Sequence, residues 1–186
     1  MHSEIEDELI NFKRVLASDV LFYDLNKPGI YAIFVDNENS LPEPFNSYLS
    51  KRKHKCIYVG KASKSLFLRL VEEDLYGKSH STFFRSLGAV LGYRPPKGSL
   101  IGKKNQNNYK FNRKDTKEVV KWIEMHLGVS WIGMSTDKLK LEESRIIKKI
   151  RPLFNIKHNP DKLEELEKLR KECRDIATSI DQSNVY

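Results

Sequence analysis

Along residues 3–17 the apolar side chains Ile5, Leu9, Phe12 and Leu16 fall on one helical face, and Ser3 with Glu6 makes a capping-box signature, so the spacing predicts an amphipathic helix. Pro28-Gly29 breaks the pattern, and Ile30 to Val35 is a short apolar, β-branched and aromatic run that predicts a buried strand. Residues 37–53 are polar, contain Pro42 and Pro44, and read as a long loop before a second strand at Lys55 to Gly60. Beyond Lys61, helical spacing of Leu66, Phe67, Leu70 and Val71 predicts a helix capped by Ser63 or Ser65, followed by a short helix from Thr82 to Leu91. Gly, Pro, Asn and Lys dominate from Gly92 to Lys114, which predicts an exposed, mobile loop. Asp115 and Glu118 open a helix through Val119, Val120, Ile123 and Leu127, which Gly128 ends. Val129 to Met134 reads as a third strand, and Thr136 or Asp137 starts a helix that runs to about Ile150 and is stopped by Pro152. From Asn159-Pro160 a last helix carries the stripe Leu163, Leu166, Leu169, Cys173 and Ile176. This stripe spans barely two heptads, so burial against the rest of the chain is favoured over a self-associating coil.

Strands interleaved with helices place the chain in the α/β class, and 186 residues suit one domain with helical additions. A 39% hydrophobic content is enough to fill an interior. No run approaches the roughly 20 apolar residues of a membrane span, and the acidic start is no signal peptide, so an intracellular, cytoplasmic protein that does not associate with a membrane is expected. Cys56 and Cys173 have no metal-ligand spacing. The net charge of +8, from 33 Lys+Arg against 25 Asp+Glu, favours phosphate-bearing partners. Its distribution is more telling: Arg94, Lys97, Lys103, Lys104, Lys110, Arg113 and Lys114 occur with no acidic residue among them, and a second basic cluster spans Lys51 to Lys55.

Two strand-borne triplets stand out, Gly29-Ile30-Tyr31 and Tyr58-Val59-Gly60, the second followed by Lys61. Arg69 comes nine positions after Gly60, and Glu143 begins a stretch that ends in Pro152-Leu153-Phe154-Asn155. In order and type these elements resemble the GIY-YIG nucleases: the two name triplets, the arginine, the metal-binding glutamate helix and a terminal Pro-x-x-Asn. The resemblance covers Gly29 to Asn155, about two thirds of the chain. It implies a small, mainly antiparallel three-stranded sheet flanked by helices. It divides the chain into an N-terminal helical extension at 1–28, a catalytic domain at 29–155 with insertions at 36–54 and 92–114, and a C-terminal helix at 156–186. It also implies a metal-dependent endonuclease that hydrolyses phosphodiester bonds in DNA, with RNA left open as a substrate. One position departs from the pattern. Where the family often has His or Tyr one helical turn after the arginine, this chain has Glu73, which leaves His80 or Tyr76 to supply such a group.

The chemistry can be assigned by residue type. Mg²⁺ or Mn²⁺ prefers oxygen ligands and retains waters, so Glu143 can be the lone protein ligand, with Glu142 the neighbouring alternative that counting back from Pro152 disfavours. Arg69 offers a planar fork of donors to a phosphate. A tyrosine acts as a base only where positive charge favours its phenolate; Tyr31 and Tyr58 are both candidates, and Tyr58 adjoins Lys61. Asn155 suits a positioning role through its amide. In the basic loop, Arg94, Lys97, Lys103, Lys104, Lys110 and Arg113 would neutralise phosphates while Tyr109 or Phe111 stacks on a base. Each residue also has an ordinary reading: a core tyrosine, a solvated arginine, a carboxylate favoured by a helix N-terminus. A catalytically decayed nucleic-acid-binding module is therefore the alternative, and homo-oligomerisation through the C-terminal helix is a further possibility.

Overall fold

The computed structural model describes residues 4–11 and 13–179. Its centre is a four-stranded antiparallel sheet in the order β1-β4-β2-β3, built from β1 (Val15–Leu16), β2 (Gly29–Val35), β3 (Cys56–Ala62) and β4 (Leu127–Gly133). One strand more than expected is present. β1 pairs Val15 with Val129 and Leu16 with Gly128, inside the segment predicted as helix. The first helix, α1 (Glu4–Asn11), therefore ends earlier than its apolar spacing suggests, and a 3₁₀ turn at Ala17–Phe22 follows β1. The proposed Ser3 cap and Phe12 lie outside the described residues.

β2 is buried along its whole length because both sheet faces are covered, which explains its unbroken apolar reading. On one face, Ile30, Ala32, Phe34 and Val59 pack with Leu9 of α1 and with Leu139, Ile146 and Ile147 of α5 (Thr136–Ile150). On the other, Tyr31, Ile33 and Val35 meet a larger core. That core includes side chains of α2 (Phe45–Ser50), α3 (Thr82–Val90), α4 (Arg113–His126) and α6 (Glu164–Thr178), and of a helix over Phe67–Leu75. α2 lies inside the stretch expected to be loop, where Phe45 and Leu49 bury a short amphipathic turn.

Three further corrections have local causes. α4 opens earlier than Asp115, because the Asn112 side chain accepts from the Asp115 backbone N–H at 2.8 Å and donates to its carboxylate at 2.7 Å. The 92–114 segment does not hang in solvent: Leu100, Tyr109 and Phe111 are buried, and the Leu100 N–H donates to the Ala177 carbonyl at 2.8 Å. The last helix begins at Glu164, several residues after Pro160. Its Leu166, Cys173 and Ala177 are fully buried in the same core as α3, so the apolar stripe is used within the chain and is not a free face for a second copy. No helix among the described residues is long and apolar enough to cross a membrane.

β3 is an edge strand, and residues 153–155 run along its open side. The Leu153 and Phe154 N–H groups donate to the carbonyls of Cys56 (3.3 Å) and Ile57 (2.7 Å). Asn155 then completes the ladder with its side chain, accepting from the Val59 N–H at 2.8 Å and donating to the Val59 carbonyl at 2.9 Å. Both bonds are buried. Asn155→Ala leaves a buried N–H and a buried C=O unpaired and should lower unfolding stability by about 2–3 kcal/mol, read as a drop in the urea midpoint with an unchanged m-value.

Candidate active site

The second triplet and the glutamate meet at the β3 edge. A cleft of about 460 Å³ is lined by Tyr58 and Lys61 of β3, Glu143 of α5, Asn155, Thr82 of α3 and Arg170 of α6. The Lys61 ammonium donates to the Glu143 carboxylate, with both side chains partly exposed. Glu143 is the single carboxylate among the described lining residues, whereas Glu142 turns inward, 4% exposed, to pair with Arg145 at 2.8 Å. Helix geometry explains the split, since neighbouring positions on α5 point about 100° apart. Lys140, Lys157 and His158 also line the cleft, which makes it strongly basic. A larger cavity, about 810 Å³, lies against β1 and β4 and contains none of the motif residues.

Tyr31 and Arg69 converge a short way behind Tyr58 on a residue that the sequence did not single out. Asp74 is fully buried, and its carboxylate accepts from the Tyr31 hydroxyl, the Ser81 hydroxyl and the Arg69 guanidinium. Phe67–Leu75 is a π-helix, as shown by the Tyr76 N–H donating to the Val71 carbonyl at 2.9 Å, five residues back. In an α-helix, positions five apart point to different sides, so spacing alone pairs Arg69 with Glu73. The wider turn lets Arg69 reach both, Glu73 at 3.4 Å on the surface and Asp74 inside. Gly60 faces Tyr31 across the sheet, and a Cβ there would overlap the Tyr31 hydroxyl and ring, so the glycine is what admits the tyrosine. The Tyr31 and Tyr58 ring centroids are 6.4 Å apart.

Electrostatics separate the two tyrosines. Burial, then the Asp74 carboxylate, hold Tyr31 well above the ordinary tyrosine range, and its proton is directed at Asp74. Burial and Asp74 raise Tyr58 as well, with Glu143 adding to the rise and Arg69 opposing it. The Tyr58 hydroxyl makes no hydrogen bond to the described residues and opens on the cleft. Burial works against the Arg69 charge, yet Tyr31, Asp74 and Tyr58 together raise it above the usual arginine value. Burial likewise pushes the Asp74 carboxyl up, and Arg69 and the three hydrogen bonds pull against that.

Other expected residues are placed elsewhere. His80 is exposed and lines a separate cavity of about 560 Å³ with Lys103, Lys104 and Lys110, so it does not join the cleft. Tyr109 is 2% exposed under Arg85 and Phe111 7%, so as folded neither ring is open to a base. Arg94 is engaged by Glu172 at 3.0 and 3.1 Å and by the Ala89 carbonyl at 3.1 Å, and Lys97 also has a contact within the chain. Arg113, at the first position of α4, is exposed. Asp74, Thr82, Lys140, Lys157, His158 and Arg170 were not candidates from sequence. His158 is displayed by a left-handed turn (φ 64°) that the Asn159 side chain closes by donating to the carbonyls of Pro152 and Asn155.

Two outcomes follow from this network. Asp74→Asn removes the buried partner of Arg69, leaving it the longer surface contact to Glu73, and should cost roughly 3 kcal/mol, measured by urea unfolding. Tyr31 and Tyr58 keep their protons in the folded state at pH values where the unfolded chain releases them, so the stability they contribute is present below about pH 10 and lost above it. Unfolding free energy should fall by roughly 1.4 kcal/mol per pH unit per tyrosine beyond that point, and Tyr31→Phe should make the fall less steep.

Over residues 29–172 the chain matches the family described as the GIY-YIG catalytic domain, a span that reaches from the start of β2 into α6. No curated protein and no solved structure gives a significant match. Members of this family are in general nucleases acting on nucleic acids. With the match covering most of its length, and both triplets, the arginine, the glutamate and the asparagine grouped about one edge strand, the chain belongs to the GIY-YIG catalytic domain family.

Proposed function

We propose that this protein is a divalent-metal-dependent endonuclease that hydrolyses phosphodiester bonds in DNA. One observation carries the proposal: Lys61 and Glu143, 82 positions apart, share with Tyr58 a single basic cleft beside the locked Arg69–Asp74 pair. Among the described residues no group of three or more His, Cys, Asp or Glu is placed to hold a metal ion. The donor set therefore suits a hard cation that takes one carboxylate, from Glu143, and draws its remaining oxygens from water and substrate phosphate. Lys61, which now neutralises Glu143, marks that carboxylate as a site for positive charge. When bound, such a cation would supply charge to the phosphate oxygens and lower the pKa of a bound water.

The chain's own groups divide the remaining work. Lys61, Lys140, Lys157 and Arg170 draw the polyanion into the cleft. Asp74 fixes Arg69, so its charge stands beside both tyrosines without reorganising during the reaction. Tyr58 can orient an attacking water through its free hydroxyl, and as phenolate it accepts the water proton while the oxygen bonds to phosphorus and the leaving alkoxide departs. Tyr31 is less suited to that role because its hydroxyl is committed to Asp74.

The direct test is a panel of duplex, branched and single-stranded DNA with Mg²⁺ or Mn²⁺. Metal-dependent nicking is expected, with Glu143→Ala reducing the rate at least about 100-fold while the fold is retained. Absence of nicking on every substrate with either ion, alongside salt-sensitive binding, would transfer the protein to the decayed-module alternative. Because Tyr58 is protonated in the free protein, the single-turnover rate should rise with pH from 7 to about 9, and Tyr58→Phe should flatten that rise.

A further inference from the structure

Three arginines of α3 and α6 act on one another at the wall of the cleft, Arg170 lining it and Arg85 and Arg174 outside its lining. Arg85 is 7% exposed, and its Nη1 is buried without a hydrogen-bond partner; its one close neighbour of note is the Tyr109 ring, centred 5.6 Å from the guanidinium carbon. Arg170 lines the cleft beside Tyr58 and Thr82, and Arg174 lies one turn further along α6. Thr82 and Arg85 are likewise one turn apart on α3. No carboxylate among the described residues bonds any of the three. Glu167, a carboxylate whose charge acts on Arg170, is taken by Lys162 at 3.0 Å, and Glu172 is taken by Arg94 at 3.0 Å.

This arrangement is costly as it stands. Burial is the largest influence disfavouring the charges of Arg85 and Arg170, and a neighbouring arginine adds to it in each case, while Tyr109 and Tyr58 oppose it without cancelling it. A guanidinium does not shed its proton, so the charge persists and calls for an anion. A phosphate suits the planar fork, and a seat for it in the wall of the cleft would turn an unfavourable cluster into a favourable one. We propose that Arg170, backed by Arg85 and Arg174, forms a phosphate seat that holds a backbone phosphate of the bound strand other than the one being hydrolysed. The identity of the anion as part of a strand rests on the nuclease reading above; the existence of the seat does not.

The test has two arms. In thermal unfolding, inorganic phosphate at about ten times its Kd should raise the Tm by roughly 4 °C over sodium chloride of equal ionic strength, and R170Q should abolish that rise. R85M should raise the Tm measured without phosphate while weakening the phosphate effect, because it replaces an unpaired buried charge by an apolar chain of similar length. In the second arm, oligonucleotide binding is titrated against salt with chelator present, so that nothing is cut. The slope of log K against log salt should fall by about 0.7 to 0.9 in R170Q, one phosphate contact. Arg170 is only half-buried, so R170Q is carried without rebuilding the core. An equal phosphate effect in wild type and R170Q overturns the seat. A phosphate effect with an unchanged oligonucleotide slope overturns its assignment to the strand. Loss of slope in a protein that cuts no substrate leaves the seat standing and sinks the nuclease reading instead.

Discussion

A single carboxylate in the core governs the arrangement of this molecule. Asp74 places a carboxyl group where water does not reach, and that is tolerable only because a β2 tyrosine, a π-helix arginine and the serine preceding α3 all donate to it. Ser81 is also the N-cap of α3, with its hydroxyl accepting the Phe84 N–H at 2.9 Å, so the same side chain sets both the carboxylate and the start of the helix. The sheet, the π-helix and α3 are thereby fixed relative to one another by polar contacts, and the apolar core fills in around them. Arg69 is rigid because Asp74 is, and the field it exerts on Tyr31 and Tyr58 is rigid for the same reason.

The second organising feature is the way the chain returns to β3. Pro152 ends α5, Arg151 takes a left-handed conformation (φ 55°), and residues 153–155 lie along the strand before the backbone turns away at Asn159. Tyr58 and Lys61 lie on either side of Val59 along β3 and project from opposite faces, and Asn155 holds the Val59 N–H and carbonyl, so the asparagine sets the position of the strand that carries two cleft residues. α5 then brings Glu143 over the end of the same strand, and α6 brings Arg170 from the opposite face of the sheet. The cleft thus straddles the sheet edge and draws on both layers.

How far this was legible in the sequence depended on whether period or register carried the signal. The apolar run of β2, the amphipathic spacing of α5 and α6 and the two triplets were readable because burial imposes a regular pattern on them. Glu143 was distinguished from Glu142 by counting from Pro152, and the structure places it in the cleft. Asp74 was invisible because a helical period of 3.6 pairs Arg69 with Glu73, and nothing in sequence announces a π-turn. β1, two residues long, was absorbed into a neighbouring helical stripe. In the 92–114 segment composition suggested solvent, but Leu100, Tyr109 and Phe111 anchor it, and an aromatic ring read as a base-stacking platform is instead packed under Arg85. Arg170 gave no signal because it looks like any solvated arginine on a charged helix.

The capping of β3 by a side chain has a bearing on association. An edge strand ordinarily offers a row of free N–H and C=O groups that another chain's strand can extend. Here backbone donors and the Asn155 amide fill positions along that row, and at the opposite edge β1 is only two residues long. The sheet is therefore poorly suited to grow by strand addition beside β3, whereas β1 covers β4 only at Gly128 and Val129. A partner that reaches the cleft has to do so through side-chain charge and shape, which excludes an extended peptide bound as a further strand and keeps the basic groove open to a polyanion.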